Sequence, residues 1–495
     1  MNPYWLLLPI LFPMFAAVVM LFMRIRSRRT MRIFTGTVTV LTSVFAWVLI
    51  LCCREDAVSL IRFTRDFTLT LRFDGAGRFF AGIIATLWPL TVLYAFEYME
   101  NDTRQHLFFA FFTIAFGVTL GVSMSGNLFT LYCFYEMLTL STFPLVMHTM
   151  TREAVRAARI YFGFSLGGAA FAFISMLYLV TGEITVETQN ITRIFYVLGF
   201  FGFGVKAAVF PLDLWLPRAS VAPTPVTALL HAVAVVKSGV FAIIRLTWFG
   251  YGIELIRGSF AEYIPMIFVL FTILYGSVRA VREVHWKRRL AYSTISNLSY
   301  ILFGVLLLTE NGLIAAFMHM AFHAEMKILA FFAAGAVMHK TGKEYIFEMD
   351  GMAKRMPVTF ACFTVAALAL LGIPPLAGFV SKWQLLSAAA DAETVFSYIG
   401  AAMILAAALL TAVYCLTVVR RAYFPHRKDD PAVQKDGTLI AGNKVPEPNP
   451  SGRCEASLFM LIPMLLLAAG ILVTGLCSGM ILNQVTNIVT NMVRW

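Results

Sequence analysis

Long apolar runs dominate the chain, and short polar stretches separate them. Most runs reach about 20 residues, which is enough to cross the hydrocarbon core of a bilayer as an α-helix. They are continuous rather than alternating, which disfavours a transmembrane β-barrel. The pattern therefore predicts an all-α polytopic membrane protein with about fourteen spans, near residues 3–23, 31–53, 79–97, 107–123, 127–149, 157–180, 192–212, 224–248, 262–281, 289–308, 312–338, 357–389, 396–419 and 457–482.

Two polar segments stand out between these spans. Residues 54–78 contain the alternating run FTLTLRF beside a turn, which predicts a small external hairpin. Residues 425–455 are rich in Pro, Lys and Asp and predict a solvated loop. We therefore expect five regions: 1–106 with the first three spans and the hairpin, two repeats at 107–248 and 262–419, a cytoplasmic loop at 420–456, and a C-terminal span within 457–495.

Composition supports the membrane assignment. Of 495 residues, 59% are hydrophobic and 13% are charged, whereas a soluble domain has roughly 45–50% and about 25%. The net charge of +12 does not indicate nucleic-acid binding, because the basic residues lie in short loops between spans. The seven cysteines show no CxxC or Cys/His metal spacing, so we expect no metal, cofactor or redox centre in this chain.

The distribution of basic residues predicts the orientation. Loops on the side of the turn at 23–31 carry 26 Lys and Arg, and those on the opposite side carry 9. The positive-inside rule makes the first side cytoplasmic. We therefore expect a multi-pass protein of the cell membrane with both termini outside.

Four lysines fall inside apolar spans: Lys206, Lys237, Lys327 and Lys382. A lysine at bilayer depth costs ~2.5–3.5 kcal/mol on insertion scales. Each of them could instead extend its ammonium to a membrane interface. Four at depth, together with a buried acid and histidines, favour a path for ions.

The acid is Glu136, about ten residues into the fifth span. It is either half of a structural salt bridge or a carboxylate that switches the charge of a neighbouring lysine. An opposite charge raises the pKa of a lysine, and burial lowers it by up to ~3–5 units. A three-unit change is worth ~4 kcal/mol, and one charge crossing ~150 mV costs ~3.5 kcal/mol. One such switch could therefore move one proton against a respiratory potential.

The eleventh span contains a row of titratable residues. His319, His323 and Lys327 follow one another at four-residue spacing and share one helix face. A single histidine in such a span is more often a satisfied core residue, but three titratable groups in a row favour a proton wire. Glu325 points away from this row, and the sequence does not assign it a role.

Two spans contain helix breaks. Lys206 precedes Pro211 in the seventh span, and Lys382 follows Pro374 and Pro375 in the twelfth. Broken helices at membrane depth are tolerated where protein or a watery cavity satisfies the backbone. The breaks lie five spans apart, so the two helices run in opposite directions. This predicts two inverted five-helix repeats, spans 4–8 and 9–13, with the ion path at the breaks.

Four motifs carry a specific resemblance: GFGVKAAVFPLDLWLPRASVAPTPVTALLHAVAVVKSGVFAIIRL, KRRLAYSTISNLSYILFG, HMAFHAEMKILAFFAAG and GIPPLAGFVSKWQLL. The chain resembles the antiporter-like subunits shared by respiratory complex I, membrane-bound hydrogenases and Mrp-type multisubunit sodium/proton antiporters. The resemblance covers spans 4 to 13. It implies that protons pass along seven residues, namely Glu136, Lys206, Lys237, His319, His323, Lys327 and Lys382.

The chain departs from the family pattern near the cytoplasmic entrance. PLDLWLPRAS stands where the family often has PLHxWLPDAH, so that Asp213, Arg218 and Ser220 replace His, Asp and His. His285 takes the place of a common acid before the tenth span, and Glu325 replaces a residue that is usually apolar or aromatic. These changes concern the uptake route more than the central residues.

The sequence thus favours a proton-translocating, cation/proton antiporter-like subunit of a larger membrane complex. Its expected partners are other membrane subunits, the lipid bilayer and protons, with sodium left open and nucleic acid excluded. Any oxidoreductase activity would belong to partner subunits, so enzyme activity stays open at this point. The alternatives are a stand-alone secondary transporter of a small solute or cation, and a scaffold that does not transport.

Overall fold

The computed structural model describes residues 3–23, 27–53, 57–64, 67–182, 185–424, 432–433, 439–440 and 452–493. Helices dominate these residues. The N-terminal part comprises a 3-10 turn at Pro3–Leu7, α1 Leu8–Met23, α2 Arg28–Cys52, strands β1 Ala57–Arg62 and β2 Thr68–Arg72, and α3 Gly75–Tyr98. The strands pair antiparallel, Val58 opposite Leu71, which confirms the hairpin; we call its side of the membrane the hairpin side.

The middle of the chain forms two successive groups of helices. The first comprises α4 Gln105–Ser123, α5 Leu128–Val146, α6 Arg152–Thr181, α7 Gln189–Gly204, α8 Trp215–Ala219, α9 Thr224–Ala232, α10 Val235–Ile244, a π-helical stretch Arg245–Tyr251 and α11 Ile253–Ile256. The second comprises α12 Phe260–Arg282, α13 Trp286–Leu306, α14 Glu310–Thr341, a 3-10 turn Ile346–Met349, α15 Met352–Arg355, α16 Pro357–Leu371, α17 Ala377–Asp391 and α18 Val395–Tyr423.

The C-terminal part differs from the single span predicted at 457–482. The helix α19 ends at Leu476, and a second helix, α20 Ser478–Val493, follows after Cys477. Before α19, β3 Ala432–Val433 pairs with β4 Leu439–Ile440. Of the predicted loop, residues 425–431, 434–438 and 441–451 lie outside the described residues, and residues 452–455 are described without helix or strand.

The predominantly helical, polytopic fold is confirmed. Among the described residues, eleven helices are long and apolar enough to cross a membrane. The three other predicted spans correspond to α7, to α13, and to α16 together with α17. Helix breaks shorten α7, α16 and α17, and polar residues lower the hydropathy of α13. The count of fourteen and the inverted repeats stay predictions.

Packing places α14 at the centre of the molecule. It contacts α9, α13, α16, α17, α19 and α20, and most of its side chains are buried. The helix α10 is likewise buried along its whole length. Polar side chains on these two helices are therefore shielded from lipid by neighbouring helices.

Candidate functional site

The first pair of the site joins α5 to the end of α7. Lys206 lies just past Gly204, where α7 stops, and its Nζ is 3.9 Å from Glu136 Oε1. The ammonium donates a hydrogen bond to the Tyr135 carbonyl and sits 3.3 Å from the centroid of the Tyr135 ring. Tyr135 thus holds the lysine, while Glu136 Oε1 has no hydrogen-bond partner among the described residues. The carboxylate is close enough to act on the lysine without being locked to it.

The helix α10 approaches the Glu136–Lys206 pair through Gly239. A Cβ at Gly239 would lie 2.6 Å from the Ala207 amide nitrogen and 2.9 Å from the Lys206 Cβ. Real Cβ atoms do not come that close to backbone atoms, so only glycine lets α10 pack against Lys206.

We expect Gly239→Ala to destabilise the protein by about 1–3 kcal/mol, because the methyl group meets rigid backbone and overpacks the contact. Gly163→Ala on α6 is the matched control, since nothing lies within 4 Å of its added Cβ. Thermal unfolding of the two purified variants measures the difference. Equal melting temperatures would show that the α10 contact can relax.

A second link joins α10 to α14. Lys237 is fully buried, and its Nζ lies 2.7 Å from His323 Nδ1. The helix is interrupted at Val233 and Ala234, so Lys237 stands in the first turn of α10. Sequence reasoning missed this third break because no proline or glycine marks it.

From His323 the polar contacts continue along α14 toward α17. The rings of His319 and His323 have centroids 5.8 Å apart. His319 Nδ1 lies 2.9 Å from Ser381 Oγ, and Ser381 precedes Lys382 in the chain. The structure thus places both histidines between Lys237 and Lys382.

Lys382 also completes the backbone at the second break. Its ammonium donates to the carbonyls of Leu370 at 2.6 Å and Leu371 at 3.0 Å, the last residues of α16. Gly372 ends that helix with φ of +93°, a left-handed conformation that glycine adopts readily. A lysine beside the break therefore satisfies carbonyls that the interrupted helix leaves free.

Lys327 forms a branch. It is one helical turn from His323, but its ammonium donates to the Leu290 carbonyl at 3.0 Å and to Ser293 Oγ at 2.7 Å. Ser293 Oγ in turn lies 2.6 Å from the Tyr414 hydroxyl. Lys327 thus connects α14 with α13 and α18, and its ammonium does not bind Lys237.

We call the following set the central polar axis: Glu136, Lys206, Lys237, His323, His319 and Lys382, with Lys327 as its branch. Two of its steps are indirect: Gly239 packs α10 on Lys206, and Ser381 stands between His319 and Lys382. The residues that sequence reasoning missed are the neutral partners Tyr135, Ser293, Ser381 and Tyr414. Ser293 and Ser381 lie inside two of the quoted motifs, but nothing in those motifs marks them as partners of the lysines. Tyr135 and Tyr414 lie in none of the four motifs, and only packing brings all four residues to the axis. Among the described residues, no group of three or more His, Cys, Asp or Glu could hold a metal ion.

Near the expected entrance, Asp213 is fully buried, and neither of its oxygens has a hydrogen-bond partner among the described residues. His285 Nε2 lies 3.4 Å from Glu344 Oε2. These two departures from the family pattern, Asp213 and His285, therefore differ in environment. Asp213 is enclosed by protein, whereas His285 has an acidic neighbour.

A further ion pair lies at the hairpin side and was also missed. Asp74 caps α3 by accepting a hydrogen bond from the Gly77 amide, and Arg245 donates to both its carboxylate oxygens, at 2.6 Å to Oδ1. Burial raises the pKa of Asp74, but the Arg245 charge and hydrogen bonds lower it by more, so that the carboxyl is held ionised.

Comparison with known proteins identifies the family. The family described as "NADH:quinone oxidoreductase/Mrp antiporter, TM" matches residues 125–415. NADH-quinone oxidoreductase subunit N of Desulforudis audaxviator is 31% identical over 429 residues, which cover 81% of each chain. Na(+)/H(+) antiporter subunit A1 of Staphylococcus aureus is 28% identical over 458 residues, or 86% of this chain; the match spans about half, 54%, of that subunit.

Two solved structures share the fold. A chain of the Mrp complex from Dietzia sp. DQ12-45-1b superposes with a TM-score of 0.85 at 22% identity, covering 99% of this chain and 98% of that one. A chain of the membrane-bound sulfane sulfur reductase, an archaeal respiratory membrane complex, superposes with 0.82 at 24% identity, covering 99% and 97%. The protein therefore belongs to the NADH:quinone oxidoreductase/Mrp antiporter family of membrane subunits.

Proposed function

We propose that this chain is a proton-translocating subunit of a multisubunit membrane complex and that protons pass along the central polar axis. The observation that carries the proposal is the 2.7 Å contact between Lys237 and His323. It joins the half of the molecule that holds Glu136 and Lys206 to the half that holds Lys382. A buried lysine in hydrogen-bond range of a histidine can exchange a proton with it.

The geometry supports a charge switch at one end of the axis. At 3.9 Å, two unit charges interact by about 4 kcal/mol at an effective dielectric constant near 20. Moving one charge across ~150 mV costs ~3.5 kcal/mol. Because Tyr135 rather than Glu136 anchors the ammonium, the carboxylate can move and change the charge of Lys206. A proton released there would pass through Lys237, His323 and His319.

The names of the relatives and of the solved complexes support the presence of partner subunits. An NADH-quinone oxidoreductase subunit and an antiporter subunit are named as parts of larger assemblies, and both solved neighbours are chains of complexes. We propose that this chain likewise works beside other membrane subunits, which would supply any redox chemistry, and that it carries no cofactor itself. Protons are the proposed cargo.

The test uses the complex purified with its native partners and reconstituted into vesicles containing a pH-sensitive dye. Two driving forces are compared, oxidation of an electron donor by the attached subunits and an imposed sodium gradient. We expect proton movement under at least one of these driving forces. The driving force that works identifies the process to which proton transport is coupled. Proton movement by the isolated chain at the full rate would instead support a stand-alone transporter, and none under either drive would contradict the proposal.

We further propose that the hairpin side is external, so that both termini lie outside. The charge distribution of 26 against 9 basic residues supports this orientation.

Sided labelling with a membrane-impermeant thiol reagent tests the orientation. A cysteine replacing the exposed side chain of Ile61 in β1 should react only from outside intact cells. A cysteine at Glu153, exposed at the start of α6, should react only in inverted vesicles. The blank is the parent chain with Cys52 and Cys477, which are both exposed, replaced by serine. Reaction of the Ile61 variant only in inverted vesicles would reverse the orientation.

A further inference from the structure

Glu325 stands apart from the central polar axis. It lies near the middle of α14, about 22 Å along the helix from Glu310 at 1.5 Å per residue. Thr474 Oγ1 on α19 donates to its Oε2 at 3.3 Å. A Cβ at Gly470 would lie 2.0 Å from Oε1, so a glycine makes room for the carboxylate. Among the described residues, no basic nitrogen lies within 4 Å of it.

This carboxyl lines a large cavity whose lining extends to the hairpin side. The cavity has a volume of about 1510 Å³. Arg72, Asp74 and Asn127 line it near the hairpin, and Ala321, Phe322 and Glu325 line it on α14. Because Ala321 is one turn closer to the hairpin side than Glu325, the cavity reaches from that surface to the middle of the membrane-embedded helix.

One wall of the cavity comes from α20. Gln484, Asn487 and Asn491 line it, and their spacing of three and four residues places them on one helix face. Amide side chains both donate and accept hydrogen bonds without carrying charge. They suit a water-filled path more than a fixed ion site. The charged groups that line the cavity besides Glu325 are Arg72, Asp74, Arg78 and Arg245.

The helix α14 therefore carries two sets of titratable groups. His323 contacts Lys237 on the central polar axis, and Glu325, two residues on, faces α19 and the cavity. A carboxylate without a basic partner is costly at membrane depth. A proton delivered through the cavity removes that cost.

We propose that Glu325 is a proton-exchange site that communicates with the hairpin side of the membrane through this cavity. A hydronium ion in the cavity gives a proton to a carboxylate oxygen of Glu325 and becomes water, and the reverse step releases the proton. The Thr474 hydroxyl orients the carboxyl. The role of Glu325 as the terminal group of a transport path rests on the proposed function. Its access to the hairpin side is independent of that function.

Cysteine accessibility tests the access directly, without a transport assay. In the chain with Cys52 and Cys477 replaced by serine, Glu325→Cys should react with a membrane-impermeant cationic thiosulfonate added from the hairpin side. The depth-matched control is Ala324→Cys, since Ala324 is fully buried and should not react. Adding Asn487→Trp should slow labelling of the Glu325 variant by narrowing the cavity. Labelling only from the opposite side, or none while Ile61→Cys still reacts, would overturn the proposal.

A second measurement uses the unaltered chain in its complex. A hydrophobic carbodiimide, which modifies protonated carboxyl groups, should label Glu325, and the label should disappear in Glu325→Gln. In the proton-transport assay, Glu325→Gln should lower the flux about tenfold or more, as expected when a proton-transfer group is removed. Labelling with normal flux in Glu325→Gln would show an accessible acid outside the transport path and overturn the exchange role. If the wild-type complex moves no protons, the proposed function fails, and cysteine access still decides whether the site opens to the hairpin side.

Discussion

We expect Lys237→Ala to abolish proton transport while the complex still assembles. Lys237 Nζ contacts His323 Nδ1 at 2.7 Å and is the link between the two halves of the central polar axis. Removing a positioned proton-transfer group typically lowers a rate by ~10²–10⁴-fold. Alanine suits a helix that is buried along its length and removes a costly charge, so folding should survive. The measurement is dye-monitored proton flux in vesicles that hold the whole complex.

Lys237→Arg separates proton transfer from fixed charge. Arginine keeps the positive charge but does not release its proton in the physiological range, so we expect transport to be lost here too. Ser238→Ala is the positional control: Ser238 is the next residue, fully buried, and its hydroxyl has no hydrogen-bond partner among the described residues. The proton flux of the Ser238→Ala variant should be close to that of the unaltered chain. Full transport by the arginine variant would reduce Lys237 to a structural charge.

The second large effect is expected at Glu136. Glu136→Gln should nearly abolish transport against a membrane potential, because a neutral amide cannot switch the charge of Lys206 from 3.9 Å. With the potential collapsed by an ionophore, the downhill flux should fall less, since the switch is needed mainly to do work. Comparing the two conditions in the same vesicles measures the coupling rather than the mere presence of a path.

A chemistry-matched control is Glu254→Gln, which makes the same substitution in an exposed side chain whose ion-pair partner is Arg257 at 3.4 Å. A surface pair of this kind is worth little, so transport should not change. If Glu136→Gln transported normally against the potential, the Glu136–Lys206 pair would be a structural ion pair and the switch mechanism would be wrong.

The proposed mechanism divides the lysines by the contacts they make. Lys206 and Lys237 lie beside other titratable groups, Glu136 and His323. Lys382 donates to backbone carbonyls at the end of α16, and Lys327 donates to a backbone carbonyl and a serine hydroxyl within α13. The second pair therefore also stabilises the fold, and substitutions there would combine a loss of transport with a loss of stability. For this reason Lys237 and Glu136 are the clearer tests of function.

Several features of this protein are determined by the sequence alone. Runs of about 20 apolar residues mark spans because the bilayer requires that length, and Pro211, Pro374 and Pro375 mark two breaks because proline cannot continue a helix. The cost of a charge at membrane depth singles out Glu136 and the four buried lysines. These properties depend on local composition or spacing, so no knowledge of packing is needed to read them.

Which side chains meet was decided only by the tertiary structure. Lys237 and His323 are 86 residues apart in the chain, and Asp74 and Arg245 are 171 apart, so that helix packing alone brings them together. The break at Val233–Ala234 has no proline or glycine to announce it. Glu325 could be seen to point away from the histidines, but its neighbours Gly470 and Thr474 and the cavity beside α20 depend on where α19 and α20 dock. Helical periodicity gives the direction of a side chain on its own helix, whereas its partner depends on long-range packing that the local sequence does not encode.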